Sequence, residues 1–113
     1  NCIKVVCDLQ SNALFFSREP IPTRFKSNKV PFGKQVCIIP FRRDFLLEYT
    51  QMQPTPLEIV ESIDMLRILE HGMKVKLVPT QYDTHSVDTE TDRQHVEKLL
   101  ANDPVTSLYC DQN

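Results

Sequence analysis

Two short apolar runs, separated by a polar turn, constrain the fold of this chain more than any other feature. Residues 2–8 and 13–17 are rich in β-branched and aromatic side chains, and the polar residues 10–12 lie between them. This pattern predicts two strands joined as a β-hairpin. Because both runs are nearly all apolar, we expect them to lie in a sheet that is covered on both faces.

The rest of the chain alternates between extended and helical patterns. Residues 18–33 carry three prolines and a glycine without a clear period, which indicates a loop or arm. Beyond this arm, the spacing of apolar residues predicts a strand at 35–39, helices at 41–52 and 56–71, a strand at 74–79 and a helix at 90–102. The order of these elements predicts an α/β fold with mixed strand directions.

The second predicted helix has a well-marked start. Thr55 and Glu58 form a capping-box pattern around Pro56, and Gly72 is typical of the residue that follows a helix end. We therefore expect one continuous helix between these marks. Its apolar stripe would consist of Leu57, Val60, Ile63, Leu66 and Leu69.

Charge and composition exclude several classes of protein. The chain has 113 residues and a formal net charge of -2, so it lacks the basic excess of a nucleic-acid groove. Its apolar runs are far too short to span a membrane. Gly33 and Gly72 are its only glycines, so this sequence holds no glycine-rich phosphate loop. Because the chain starts within a predicted strand and without a leader, we expect it to be part of a longer cytoplasmic protein.

The cysteines show no metal-binding pattern. No two of the four form a Cys-x-x-Cys pair, and the histidines at 71, 85 and 95 do not fall at zinc-finger spacing from them. Cys2, Cys7 and Cys37 lie within apolar runs. We expect them to be reduced thiols in the core of a cytoplasmic protein.

Polar residues at two places could carry binding chemistry. Arg18 follows an apolar strand, where its planar guanidinium could bind an anion or could simply be solvated. Gln53 and Glu58 flank two prolines at a helix start, which would hold them in a defined place. The same residues would also suit a helix that is merely well capped.

Asp88 is the candidate for a metal ligand and for catalysis. It lies just before Thr89, which forms a second capping pattern with Asp92 at the start of the last helix. A carboxylate at such a place suits a hard cation such as Mg2+. The alternative is a turn acid beside the helix cap.

The motifs occur in an order that resembles the carboxy-terminal half of the 3-deoxy-manno-octulosonate (KDO) cytidylyltransferases. Residues 1–8 resemble that family's Asn-x-x-Lys-Val-Val-x-Asp strand, and 13–18 with 21–22 resemble its Ala-Leu-Tyr-Phe-Ser-Arg segment followed by Ile-Pro. Residues 53–58 are similar to its Gln-Pro-Ser-Pro-Leu-Glu segment, and 87–92 to its Val-Asp-Thr-Pro-Glu-Asp motif. Each motif is weak alone, but four in register are fairly specific.

The resemblance implies a fold and an activity. The fold would be the carboxy-terminal part of a nucleotide-diphospho-sugar transferase-like (Rossmann-like) mixed sheet with flanking helices. Residues 1–102 would form its sugar-binding and dimerisation elements, and 103–113 a tail. The whole enzyme would transfer CMP from CTP to an acidic sugar, releasing pyrophosphate, and would act as a cytoplasmic homodimer.

The resemblance also assigns residues to this reaction. Arg18 would meet the carboxylate of the sugar, and Gln53 and Glu58 its hydroxyl groups. Asp88 would be one Mg2+ ligand, with its partner aspartate in the amino-terminal half. The arm at 18–33 and the neighbouring strands would pair two subunits.

One segment departs from the family pattern. The family's Arg-His-Leu-Gly-Ile-Tyr-Gly-Tyr is Lys-Gln-Val-Cys-Ile-Ile-Pro-Phe at 34–41, so that a histidine facing the sugar becomes Gln35. Glutamine still donates and accepts hydrogen bonds but cannot carry charge. The departure favours the alternative hypothesis, a diverged or truncated homologue that acts as a non-catalytic dimerisation or binding module.

Overall fold

A computed structural model of the protein describes residues 2–29 and 33–110. The chain divides into two compact units, the first ending at Pro79 and the second beginning at Thr80. Strands and helices both form in the first unit, which confirms the predicted α/β character. The strands of the described residues pair only antiparallel, in the order β2-β1-β3.

The predicted hairpin is the centre of this sheet. β1 (Lys4–Cys7) pairs with β2 (Ala13–Ser17) on one side and with β3 (Gly33–Lys34) on the other. The carboxylate of Asp8 closes the hairpin, since it accepts a hydrogen bond from the backbone N–H of Asn12 at 2.9 Å. Ala13 and Phe16 are buried, but Leu14 is 60% exposed, so the described residues do not cover both faces of the sheet as expected.

The other two predicted strands do not form as expected: residues 35–39 are not in a strand, and β3 lies just before them at Gly33–Lys34. β3 ends at Lys34 because the antiparallel register pairs Lys34 with Lys4, where β1 itself begins. Residues 36–39 therefore have no strand to pair with in the described part of the chain. The segment 74–79 forms only an isolated bridge between Lys76 and Asn12, because it meets the hairpin at its turn rather than along a strand.

The predicted core position of the cysteines is wrong. Cys2, Cys7 and Cys37, which we expect in the core, are all exposed, and so is Cys110. For Cys7, the reason is an irregularity in the strand, since the register shifts between Val6 and Cys7. Val5, two positions earlier, is buried.

The long second helix is in fact two short helices. α1 (Arg43–Gln51) confirms the first predicted helix, but the second divides into α2 (Pro56–Glu61) and α3 (Met65–Glu70). The backbone adopts the left-handed conformation at Ser62, which has a φ of 56°, and the helix ends there. The capping signal is confirmed in part: Thr55 and Pro56 begin α2, and the Glu58 carboxylate accepts from the Thr55 N–H at 3.1 Å.

The break at Ser62 determines which side chains reach the core. Ile63 and Leu66 are buried, but Leu57 and Val60 of the expected apolar stripe are exposed. The helix α3 packs on β2, so its side chains join those of the hairpin. The buried core consists of Val5, Ala13, Phe16, Ile63, Met65, Leu66 and Ile68.

The second unit is helical. Its helices are α4 (Glu90–Ala101) and α5 (Pro104–Cys110), and the backbone N–H of Asp92 donates to Thr89 Oγ1 at 3.1 Å, as the capping pattern predicts. The helix α5 lies in the segment 103–113 that the sequence predicts as a tail, and residues 111–113 lie outside the described residues. Within the described ranges, no helix has both the length and the apolar character to cross a membrane.

Leu66 tests the packing of α3 on the hairpin, since its side chain is completely buried. We expect Leu66→Ala in the full-length protein to lower the free energy of unfolding by about 2–5 kcal/mol, because it leaves a cavity. Leu9→Ala is the matched control, since Leu9 is fully exposed. A loss at Leu66 no larger than that at Leu9, measured by denaturant unfolding, would contradict this packing.

Candidate functional site

The carboxylate of Glu61 joins the end of β2 to α2. Ser17 Oγ donates a hydrogen bond to Glu61 Oε1 at 2.8 Å, and the backbone N–H of Arg18 donates to Glu61 Oε2 at 3.0 Å. The bond from the Arg18 N–H is the main reason why the pKa of Glu61 lies below its ordinary value. Each oxygen of this carboxylate therefore fixes one residue at the end of the strand.

The guanidinium of Arg18 binds the chain where α2 ends. Its Nε donates to the carbonyl of Glu61 at 2.7 Å, and its Nη2 donates to the carbonyl of Ser62 at 2.8 Å. In a continuous helix these two carbonyls would accept from N–H groups four residues further on. The side chain of Arg18 remains exposed, and Nη1 has no hydrogen bond in the described part of the chain. In the predicted anion site, Nη1 would be the nitrogen that is left to bind a ligand.

Glu58 is part of a buried ion pair. Its Oε2 accepts from Arg67 Nε at 2.8 Å and its Oε1 accepts from Arg67 Nη2 at 2.6 Å, so the pair is bidentate. The side chains of Glu58 and Arg67 are only 9% and 17% exposed. The hydrogen bonds from Arg67 hold the pKa of Glu58 below its ordinary value, and Glu58 correspondingly raises the pKa of Arg67. Glu58 thus has a structural role in the ion pair with Arg67, and its predicted role in binding a sugar hydroxyl stays a prediction.

Arg67 makes further contacts beyond this pair. Its Nη1 donates to the carbonyl of Met52 at 3.3 Å, and its guanidinium carbon lies 4.9 Å from the centre of the Tyr49 ring, a cation–π distance. Tyr49 belongs to α1 and Met52 is the residue that ends it. One guanidinium therefore connects α1, α2 and α3.

Gln53 and Gln35 offer polar groups that have no partner in the described residues. Gln53 is exposed in the linker between α1 and α2, directly after Met52. Gln35 follows β3, and its backbone N–H donates to the carbonyl of Ile3 at 2.8 Å. Its amide Oε1 is buried without a hydrogen bond, which is costly for a polar atom unless a ligand or water supplies one.

The structure brings some of the predicted residues together. Glu58 belongs to α2, Arg18 contacts the end of this helix, and Gln53 lies in the linker that leads into it. Gln35 lies beside β1, and no hydrogen bond joins it to the α2 groups within the described residues. Sequence reasoning missed the parts that Glu61 and Arg67 play in holding the others, because their partners lie far away in the chain or across the break in the expected helix.

Asp88 lies in the second unit, exposed and directly before the cap of α4. Its backbone N–H donates to Asp92 Oδ2 at 3.2 Å, and that oxygen also accepts from the Thr89 N–H and hydroxyl. Asp92 is thus used by the cap, whereas the Asp88 carboxylate has no hydrogen bond or ion pair in the described part of the chain. Among the described residues, no three His, Cys, Asp or Glu side chains form a group that could hold a metal ion.

Comparison with known protein families decides the assignment. Residues 1–75 match the family model described as cytidylyltransferase. The chain belongs to the cytidylyltransferase family.

Curated members of the family are similar over most of this chain. The 3-deoxy-manno-octulosonate cytidylyltransferase of Fusobacterium nucleatum is 41% identical over 96 residues, which is 85% of this chain and 39% of the relative. The protein of the same name from Geotalea uraniireducens is 41% identical over 111 residues, covering 88% of this chain and 44% of the relative. That of Synechococcus elongatus is 44% identical over 93 residues, covering 81% and 38%. The chain thus spans about two fifths of the length of these relatives.

A solved structure has the same fold. It is that of CMP:2-keto-3-deoxy-manno-octonic acid synthetase in complex with CTP, and it superimposes with a TM-score of 0.83 at 33% sequence identity. The match covers 88% of this chain and 42% of that one. The expected nucleotidyltransferase-like fold is confirmed for the part that this chain represents.

The ion pair predicts a dependence of stability on pH. A carboxyl whose pKa is lowered by folding stabilises the folded state above its ordinary pKa, which is 4.5 for Glu58, and loses this contribution as the pH falls through the lower folded value. We expect Glu58→Gln in the full-length protein to lower the free energy of unfolding at pH 7 by about 1–3 kcal/mol. The variant should also lose less stability than the wild type on acidification.

The measurement is denaturant unfolding of both proteins from neutral to acidic pH. Glu48→Gln is the matched control, because Glu48 is an exposed residue of α1 without an ion pair among the described residues. It should change stability at pH 7 by less than about 0.5 kcal/mol. Parallel pH profiles for Glu58→Gln and the wild type would show that the pair does not carry this dependence.

Proposed function

We propose that the full-length protein is a CTP-dependent cytidylyltransferase that activates KDO, or a closely related acidic sugar, as its CMP-sugar and releases pyrophosphate. The observation that carries this proposal is the similarity to a synthetase solved in complex with CTP, at a TM-score of 0.83. The names of the curated relatives support KDO as the sugar. Residues 1–113 would contribute to the sugar side of the reaction.

The polar groups at α2 suit an acidic sugar. The free end of the Arg18 guanidinium would bind the sugar carboxylate, with its other nitrogens held on the carbonyls of residues 61 and 62. The amide of Gln53 would bind a hydroxyl group. The buried Oε1 of Gln35 would accept a hydrogen bond from another hydroxyl, which would give this atom its missing partner.

Asp88 would hold one Mg2+ ion. The donor chemistry fits, because its exposed carboxylate supplies a hard oxygen ligand and Mg2+ is commonly held by one or two carboxylates together with waters and phosphates. By family resemblance, a second carboxylate would come from the amino-terminal half. When bound, Mg2+ would offset the charge of the CTP phosphates during the transfer.

The protein would act as a homodimer in the cytoplasm. The exposed Leu14 on β2 and the exposed Ile38 and Ile39 after β3 offer apolar surface at the sheet for a second copy. The closed arrangement would have two-fold symmetry, the commonest for such pairs. The four free thiols support a reducing compartment.

A second candidate function is a non-catalytic dimerisation or binding module. The observation that favours it is the altered segment 34–41, in which Gln35 stands where the family has a histidine and both family glycines are replaced. The two candidates differ in turnover, so an activity assay separates them.

The assay is CMP-sugar formation from CTP and KDO by the full-length protein in the presence of Mg2+. We expect one pyrophosphate per CMP-sugar formed. Residues 1–113 expressed alone are the control and should form none, because this sequence has no glycine-rich phosphate loop. A folded full-length protein that dimerises but forms no CMP-sugar would favour the non-catalytic module instead.

Asp88→Asn tests the metal ligand. Because the Asp88 carboxylate has no partner in the described residues, whereas its backbone N–H contacts Asp92, we expect the substitution to leave the α4 cap and the melting temperature intact. Loss of the negative charge should lower turnover and raise the Mg2+ concentration needed for half-maximal rate, by about tenfold or more. Steady-state rates against Mg2+ concentration measure both. An unchanged rate and midpoint would remove Asp88 from the site.

A further inference from the structure

Gln53 is exposed in the linker between α1 and α2, and few contacts within the linker hold it in place. The linker comprises residues 53–55, after Met52 and before Pro56. The side chain of Gln53 forms no hydrogen bond in the described part of the chain. Its position is therefore determined by the groups that fix the two ends of the linker.

Arg67 fixes both ends. On one side, its Nη1 donates to the carbonyl of Met52 at 3.3 Å. On the other, its Nε and Nη2 bind the carboxylate of Glu58, which in turn accepts from the Thr55 N–H at 3.1 Å. The face of the guanidinium lies over the Tyr49 ring of α1. A planar group with three donating nitrogens can meet these geometries together, whereas the ammonium of lysine cannot.

The core gives this arrangement its rigidity. Arg67 lies on α3 between Leu66 and Ile68, whose side chains are 0% and 2% exposed. Glu70, also on α3, accepts from the backbone N–H of Leu57 at 3.1 Å, so α3 also holds the first turn of α2. Backbone and side chain around the linker are thus tied to a helix that is itself embedded in the core.

We infer that Arg67 is a positioning residue for the sugar. It fixes the carboxylate of Glu58 and also the linker that carries Gln53, without itself contacting the substrate. The inference rests on the proposed function, since it concerns the sugar side of that reaction. It requires that loss of the planar guanidinium weakens binding of the sugar more than binding of CTP, because residues 1–113 contribute to the sugar side in that proposal and contain no glycine-rich phosphate loop.

The experiment compares Arg67→Lys with Ile68→Val in the full-length protein. Ile68→Val is the matched control, because it perturbs the core side of the same helix and leaves the guanidinium intact. The quantities are kcat, the KM for KDO and the KM for CTP, with melting temperatures alongside. We expect Arg67→Lys to raise the KM for KDO by about ten- to a hundredfold. The KM for CTP should change less than about twofold, and Ile68→Val should leave both KM values near those of the wild type at a similar loss of melting temperature.

Several results would overturn this inference. They are an unchanged KM for KDO in Arg67→Lys, an equal rise in the KM for CTP, or the same rise in Ile68→Val. If Arg67→Lys does not fold, Tyr49→Leu removes the ring beneath the guanidinium while keeping the ion pair, and it must then raise the KM for KDO alone. A wild type that forms no CMP-sugar refutes the proposed function together with this inference, whereas an active wild type with insensitive variants refutes this inference alone.

Discussion

The bidentate ion pair between Glu58 and Arg67 is the interaction on which the arrangement of the candidate site depends. Taking two charges out of water is costly, and the cost is recovered only where geometry is good and the remaining polar atoms find partners. Here the Glu58 carboxylate also accepts from the Thr55 N–H, and the guanidinium also meets the Met52 carbonyl and the Tyr49 ring. The Arg67 guanidinium therefore connects α1, α2 and α3 and determines how these helices pack together.

Glu61, the other carboxylate of α2 in the candidate site, connects this helix to the sheet. Glu61 holds Ser17 and the Arg18 backbone, while the Arg18 side chain takes the carbonyls of residues 61 and 62. These contacts stabilise the end of α2 and the left-handed conformation of Ser62. The short helix α2 therefore connects the end of β2 to the linker that carries Gln53. Both features that the sugar would meet are attached to one element.

The hairpin, α1, α4 and the caps at Thr55 and Thr89 could be predicted, because each depends on residues close together in sequence. The break at Ser62 could not be predicted, because it depends on a residue far away in the chain. Arg18 binds the carbonyls of Glu61 and Ser62, which follow it by 43 and 44 positions. The ion pair between Glu58 and Arg67 could not be predicted from the sequence for a related reason. Glu58 and Arg67 are nine positions apart, and in the continuous helix expected from the sequence they would lie on opposite sides, at about 3.6 residues per turn. Local pattern marked Arg18, Gln53, Glu58 and Asp88 only as candidates, whereas their particular roles, and the choice of Gln35, came from resemblance to a family.

In the proposed function, α2, with the linker before it and the end of β2 beside it, forms the sugar-binding edge of a cytidylyltransferase. A crystal structure of the full-length protein with its CMP-sugar product tests this most directly. We expect the sugar carboxylate within hydrogen-bond distance of Arg18 Nη1, and sugar hydroxyls at the amides of Gln53 and Gln35. Arg67 should keep its contacts with Glu58 and should not touch the sugar. A sugar bound away from α2 and its linker would contradict this placement of the sugar site.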